Sequence, residues 1–259
     1  MQNCYFPTTA KPRAAEDDAT TMSAIESALR LDKLRASGDA LRPTFMKIGV
    51  VSGAAGSAYV EFNRTRVICS VYGPRNDTRS NREFNQEGQL VCDFKFAPFA
   101  DAEGRRERGQ DDDELEFSSI LVQALSPAVI LSKLPKCVVS IYIVVLESDG
   151  GELAAAINCA SLALVDAAVE MYDIVTASNA AVMSDSKIVL DPSREEERLA
   201  QGKVLMAFMP SIGQMTHMLQ SGKLQHEQLQ ESVDLCTDSC NNVMKNMLTA
   251  AIAQGITQQ

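Results

Sequence analysis

The 259-residue chain is poor in histidine, aromatic side chains and positive charge, and it has no long hydrophobic run. No apolar stretch approaches the roughly 18–20 uninterrupted residues that a membrane-spanning helix needs, so no membrane partner is expected. The first residues, MQNCYFPTTAKPRAAEDDATT, mix acids with bases and contain no secretory h-region. The two histidines, His217 and His226, are too few for a metal centre or a triad, and structural or surface roles are favoured. No G-x-S-x-G string supports a serine hydrolase. Lys and Arg number 24 against 34 Asp and Glu, giving a formal net charge of −10, so the chain as a whole repels nucleic acid. Contact with RNA then requires a local basic patch or partner subunits.

The cysteines, Cys4, Cys69, Cys92, Cys137, Cys159, Cys236 and Cys240, are odd in number and form no C-x-x-C pair. Most sit in apolar segments, where a thiol acts as a small buried hydrophobe, and the chain reads as a reduced intracellular protein. Cys236 and Cys240 have helical i,i+4 spacing but no second ligand pair near them. Packing is therefore preferred to metal binding.

What is present is ordinary globular material, 46% hydrophobic. Residues 1–29 read as an N-terminal extension, and 30–259 as one domain. FMKIGVVSGAAGSAYVEFNRTRVICSVYGPR reads as a β-meander broken at SGAAGS and FNRT, and LVCDFKFAPFA as a further strand. An amphipathic helix is expected from Glu114 to Leu131. CVVSIYIVVLE is almost continuously apolar and β-branched, which predicts a central strand covered on both faces. An alanine-rich helix follows over LAAAINCASLALVDAAVEMYD, then the strands SKIVLD and KVLMAFMP, then a long C-terminal amphipathic helix. The class is α+β, with helices against a mixed sheet.

Between the central strand and the alanine-rich helix stands Ser148-Asp149-Gly150-Gly151-Glu152-Leu153. Two glycines at a helix N-terminus form a natural anion cradle, because backbone N–H groups there are unpaired and the helix dipole favours negative charge. A carboxylate and a hydrocarbon occupy its mouth.

Three segments carry a resemblance. RLDKLRASGDALRP at 30–43, GSAYVEFNRTRVICSVYGPR at 56–75 and GGELAAAINCASLALVDAAVEMYD at 150–173 resemble the ribonuclease PH family. Within it, the chain is similar to the ring subunits of the eukaryotic RNA exosome. The resemblance implies the ribonuclease PH-like fold, shared with the second domain of ribosomal protein S5. It also implies a heterodimer with another such subunit inside a hexameric ring, capped by S1- and KH-domain proteins and threaded by RNA. Ribosomal RNA maturation, turnover of messenger and noncoding RNA, and residence in nucleus, nucleolus and cytoplasm are implied likewise.

Active members of the family cut RNA from the 3′ end with inorganic phosphate, a reaction that needs positive charge and backbone donors at the phosphate and acids to place a divalent metal. Their phosphate motif D-G-G-T-R corresponds here to Asp149-Gly150-Gly151-Glu152-Leu153. The hydroxyl has become Glu152 and the guanidinium Leu153. A second phosphate-binding arginine corresponds to the stretch Asp111-Asp112-Asp113, and no basic residue occurs from Gln110 to Ser132. The paired metal aspartates correspond to Glu197 and Lys203, so one acid is replaced by a cation. The expectation is a structural subunit with no catalytic residue, no cofactor and no metal. The alternative is an active phosphate-dependent exoribonuclease with a rearranged site. Glu195-Glu196-Glu197 with Asp191 reads as a solvated acidic turn rather than a metal cluster. Arg105, Arg106 and Arg108 form the one dense basic cluster, with contact to RNA phosphates and an ordinary solvated loop both open.

Overall fold

The computed structural model describes residues 30, 35, 37–76, 87–101, 104, 112–183 and 187–258. Alternation of apolar and polar residues sets the first sheet. β1 (Thr44–Ile48), β2 (Gly56–Phe62) and β3 (Thr65–Asn76) form the expected meander. Asn63 takes the left-handed conformation at the two-residue β2–β3 turn, where asparagine is tolerated. β4 (Gln89–Phe96) and β5 (Cys137–Glu147) complete five strands in the order β1-β2-β3-β5-β4, with β4 parallel to β5 and the rest antiparallel.

α1 (Asp112–Leu125) and α2 (Glu152–Asp166) lie on one face of this sheet. The helix expected from 114 to 131 ends at Leu125, because Pro127 disfavours helical backbone at Ser126. Val129 then bridges to Met171, and a 3-10 turn covers Leu131–Lys133. α2 is also shorter than its alanine-rich pattern, closing before Ala168, whose φ is +53°. Its alanines are fully buried, and the backbone of β2 comes so close that a Cβ on Gly56 would stand 2.4 Å from the Ala163 carbonyl oxygen.

β6 (Thr176–Val182), β7 (Ile188–Leu190), β8 (Gly202–Met209) and β9 (Gln214–Gly222) make a second sheet in the order β7-β6-β8-β9. α3 (Arg194–Leu199) connects β7 to β8. The C-terminal helical run divides into α4 (His226–Ser239), a π segment over Cys240–Met244 and α5 (Lys245–Gln258).

The main core lies between the sheets, where Val67, Ile141 and Val145 meet Ile157, Leu162 and Leu248. A smaller core under α4 holds Met206, Phe208, Cys236 and Cys240. Those two cysteines are buried packing residues, as their apolar surroundings suggested. Burial also pushes both thiols up to about 12. The β5 expectation needs correction: the strand is central, but the helices cover one face only, and Tyr142 and Val144 stand exposed on the other.

Candidate functional site

β5 ends at Glu147, and the chain turns through Ser148-Asp149-Gly150-Gly151 into α2. Both glycines are left-handed, with φ of +85° at Gly150 and +69° at Gly151. The first acid is Glu152, whose carboxylate folds back over the turn. Its Oε1 accepts hydrogen bonds from the Ser148 hydroxyl and, at 3.3 Å, from the Gly150 N–H. The second is Glu197 of α3, whose Oε1 accepts the Gly151 N–H at 2.9 Å. Lys203 on β8 reaches the other Glu197 oxygen at 2.5 Å. Two donors of the turn, the Gly150 and Gly151 N–H groups, are thus already directed at carboxylates of the same chain.

The sequence reading placed Glu152, Glu197 and Lys203 in one site, and the structure brings them together. Burial raises the Glu197 carboxyl above its ordinary 4.5, and the neighbouring Glu152 charge raises it further. Lys203 and the Gly151 N–H oppose this only in part. Removing the neighbouring charge with Glu152→Gln should therefore move the Glu197 midpoint down in a carbon-13 NMR titration. An unmoved or higher midpoint would show that the two carboxylates are not coupled.

Leu153 points into the main core instead of the turn. Asp112 and Asp113 are exposed in the first turn of α1, while Glu114 is buried and accepts the Phe96 N–H at 2.9 Å. Arg105, Arg106 and Arg108 lie outside the described residues, as do residues 1–29.

A larger charge network behind the turn escaped the sequence reading. Asp191 and Glu196 are only 4% and 1% exposed, so the expectation of a solvated acidic turn fails for both, and each is paired with arginine instead. Asp191 accepts from Arg42 at Nη2 (2.6 Å), Nε (2.9 Å) and the backbone N–H (3.0 Å). Arg42 also donates to the Asp149 and Gly150 carbonyls, at 2.9 and 3.0 Å, and so holds the back of the glycine turn. Glu196 accepts from Arg30 at 2.8 and 3.0 Å and from Arg35 at 3.4 Å. It also closes a capping box on Ser193. The S-x-x-E spacing of Ser193 and Glu196 was the signal available for this. A third unforeseen contact pairs Arg194 with Asp101 at 2.5 Å beside Ser148.

This two-sheet scaffold, with a glycine turn at its centre and an acidic helix above it, is matched by known proteins. Residues 40–170 match domain 1, and residues 173–239 domain 2, of the 3′ exoribonuclease family, so the chain belongs to that family, whose fold is ribonuclease PH-like. The chain is 37% identical over 202 residues to an exosome complex component RRP41-like protein of Arabidopsis thaliana, covering 78% of this chain and 77% of that protein. It is 35% identical over 210 residues to the exosome complex component Rrp41 of Pyrococcus furiosus, with 81% and 83% covered. Among solved structures, rice (Oryza sativa) Rrp46 aligns with a TM-score of 0.74 at 22% identity, covering 85% of this chain and 98% of the rice chain. A chain of the Archaeoglobus fulgidus exosome, solved with RNA bound to the active site, aligns with a TM-score of 0.74 at 21% identity, covering 88% and 96%.

Proposed function

We propose that this chain is a catalytically silent subunit of an RNA exosome core ring, which completes the ring and supports 3′-to-5′ RNA processing without cutting RNA itself. Within that group, LVCDFKFAPFA, AAVEMYDIV, LDPSREEER and LMAFMP favour a subunit of the type of exosome component six, also called mRNA transport regulator three. Its partners are then other ribonuclease PH-like subunits, the S1- and KH-domain cap proteins, and RNA in transit to hydrolytic nucleases. Nucleus, nucleolus and cytoplasm are the corresponding locations.

The observation that carries this reading is the hydrogen bond from the Gly151 N–H to Glu197, with Glu152 closed over the same turn and Lys203 paired to Glu197. An entering phosphate would have to displace one carboxylate while lying against another. Arg42 lies behind the turn and is paired with Asp191, and Arg194, beside Ser148, is paired with Asp101, so both of these guanidinium groups already have carboxylate partners. Phosphorolysis depends on such preorganised positive charge.

The test incubates oligoadenylate, Mg²⁺ and phosphate with the purified chain, alone and in the assembled ring. No adenosine diphosphate attributable to this chain should form, and Glu197→Ala should leave the yield unchanged. Phosphate-dependent release that disappears in Glu197→Ala would overturn the proposal.

A further inference from the structure

The chain is poor in aromatic side chains, yet three of its five tyrosines stand on one surface. Tyr59, Tyr72 and Tyr142 project from β2, β3 and β5 onto the face of the first sheet that the helices leave uncovered. Alternation puts them there, because Val60, Val71 and Ile143 beside them point into the core. Tyr142 is 46% exposed, and Tyr72 meets it edge-on with ring centroids 5.7 Å apart. The Arg75 guanidinium lies over Tyr72, 5.3 Å from the ring centroid. A sheet face that carries accessible aromatic rings beside cations is a surface on which unpaired nucleobases stack.

Next to Tyr142 this surface is concave. A cleft of about 460 Å³ opens between β5, β4 and α1, within the size range of ligand sites. Tyr142, Val91 and Leu115 give it exposed apolar walls. Its charged groups are Lys95 and Asp93, and Asp93 stands opposite Tyr142 in the β4–β5 register. The 3.5 Å contact between these two groups is open to solvent, so it contributes little and yields readily to a ligand. Glu152, Glu197 and Lys203 take no part in the lining, which makes the cleft separate from the glycine turn.

The charged pair specifies the base. An ionised carboxylate only accepts hydrogen bonds, and an ammonium group only donates them. Guanine sets two adjacent donors, N1–H and N2–H, next to an acceptor, O6. Adenine, cytosine and uracil each place an acceptor beside the donor that a carboxylate would take. We propose that this cleft binds an unpaired guanine of single-stranded RNA, stacked on Tyr142, with N1–H and N2–H donated to Asp93 and O6 facing Lys95. Arg75 takes an adjoining phosphate. A chain of net charge −10 can hold RNA in this way because the base, and not the backbone, supplies most of the affinity. The inference takes from the proposed function only that RNA is the partner, and it does not depend on ring assembly.

The test is fluorescence anisotropy with the full chain and a labelled pyrimidine RNA that carries a single guanine or a single adenine. The guanine strand should bind about tenfold more tightly. Its affinity should fall with salt at a logarithmic slope of about −0.7, the value for one phosphate of a single strand. Tyr142→Ala should weaken binding about tenfold, while Tyr142→Phe holds it within about twofold because a phenyl ring also stacks. Asp93→Asn should remove the preference, since an amide offers a donor beside an acceptor and suits either base. Thermal unfolding should be unchanged in all three variants, whose side chains lie on the open face. Equal affinity for both strands, or a slope steep enough for several phosphates, would overturn the guanine cleft in favour of backbone attraction. Guanosine monophosphate competing as tightly as the strand would overturn RNA as the occupant. Loss of RNA binding on addition of ring subunits would assign the face to a protein neighbour, and this inference would fall while the ring reading stands. Failure to assemble with any ring homologue, with the guanine preference intact, would remove the ring reading and uphold the cleft.

Discussion

Asp191→Asn should lower the free energy of unfolding by about 3–5 kcal/mol, the usual cost of leaving one member of a buried ion pair uncompensated. The carboxylate lies between two arginines drawn from the N-terminal segment, within bonding distance of Arg42 and 3.9 Å from Arg35. Asparagine keeps the shape and tolerates the positive φ of 49° at this position, so the substitution isolates the charge from backbone strain. Arg42 is 3% exposed and would be left charged without its carboxylate, its remaining bonds running to neutral carbonyls. Denaturant unfolding of the two proteins is the measurement. A loss below about 1 kcal/mol, the range of a surface pair, would show that Asp191 does not hold the segment.

The same network sets the response to acid. Burial alone would push the Asp191 carboxyl up, but the charge and hydrogen bonds of Arg42, with the charge of Arg35, outweigh it and hold the group below its ordinary 3.8. For Glu196, burial is likewise outweighed, by Arg30, the Ser193 N–H and Arg35, and the group sits below its ordinary 4.5. With folded midpoints lower than unfolded ones, the unfolded chain binds more protons as acid is added. The stabilisation is complete above the ordinary values and is lost as pH falls through the folded midpoints. Glu197 has the opposite sign: its raised midpoint makes stability decline as pH rises through the window above 4.5. Acid unfolding of the wild type and Asp191→Asn should converge at low pH, where Asp191 is protonated in both states.

The periodicities that sequence can carry were legible. The β1–β2–β3 meander, the strand at 137–147 and the two strands around the acidic run follow from alternation and β-branching, which are local properties. The glycine turn was also legible, because two glycines before an alanine-rich segment have few other uses. Helix ends were less so: α1 stops at Leu125 because of one proline, a detail the apolar stripe does not encode. The exposed face of β5 was missed because a run of Val, Ile and Tyr reads the same whether the second face meets helices, a partner or water. The acids at 191 and 196 were misread for a related reason. Composition sees an acidic run beside Arg194 and Arg198, whereas the partners Arg30, Arg35 and Arg42 lie about 150 residues away in sequence. Charge pairing over that distance leaves no periodic trace. Glu197 and Lys203 were brought into the site by the family motif, and only the fold shows Glu197 accepting the Gly151 N–H.

Gly150→Ala separates a turn kept for its ligand from one kept for the fold, and it should destabilise the chain by about 2–4 kcal/mol. Two contributions add. The φ of +85° is costly for any residue with a Cβ, by roughly 1–2 kcal/mol. The new methyl would also stand 2.8 Å from the Arg194 nitrogen and 2.9 Å from the Pro192 oxygen, main-chain atoms at the entrance to α3 that cannot rotate away. Overpacking of that kind adds about 1–3 kcal/mol. Gly49 provides the control, because its φ is +69° and nothing lies within 4 Å of its Cβ position. Gly49→Ala should therefore show the strain alone, about 1–2 kcal/mol, and the excess at Gly150 measures the crowding against α3. For a chain of this size the Gly150 variant should melt roughly 5–15 °C below the wild type. If Gly150→Ala proved no worse than Gly49→Ala, the contact with α3 would not be what retains this glycine. A large loss would show that the glycine is needed by the fold whether or not the turn holds an anion: the strand-to-helix turn is also the surface on which the next helix rests.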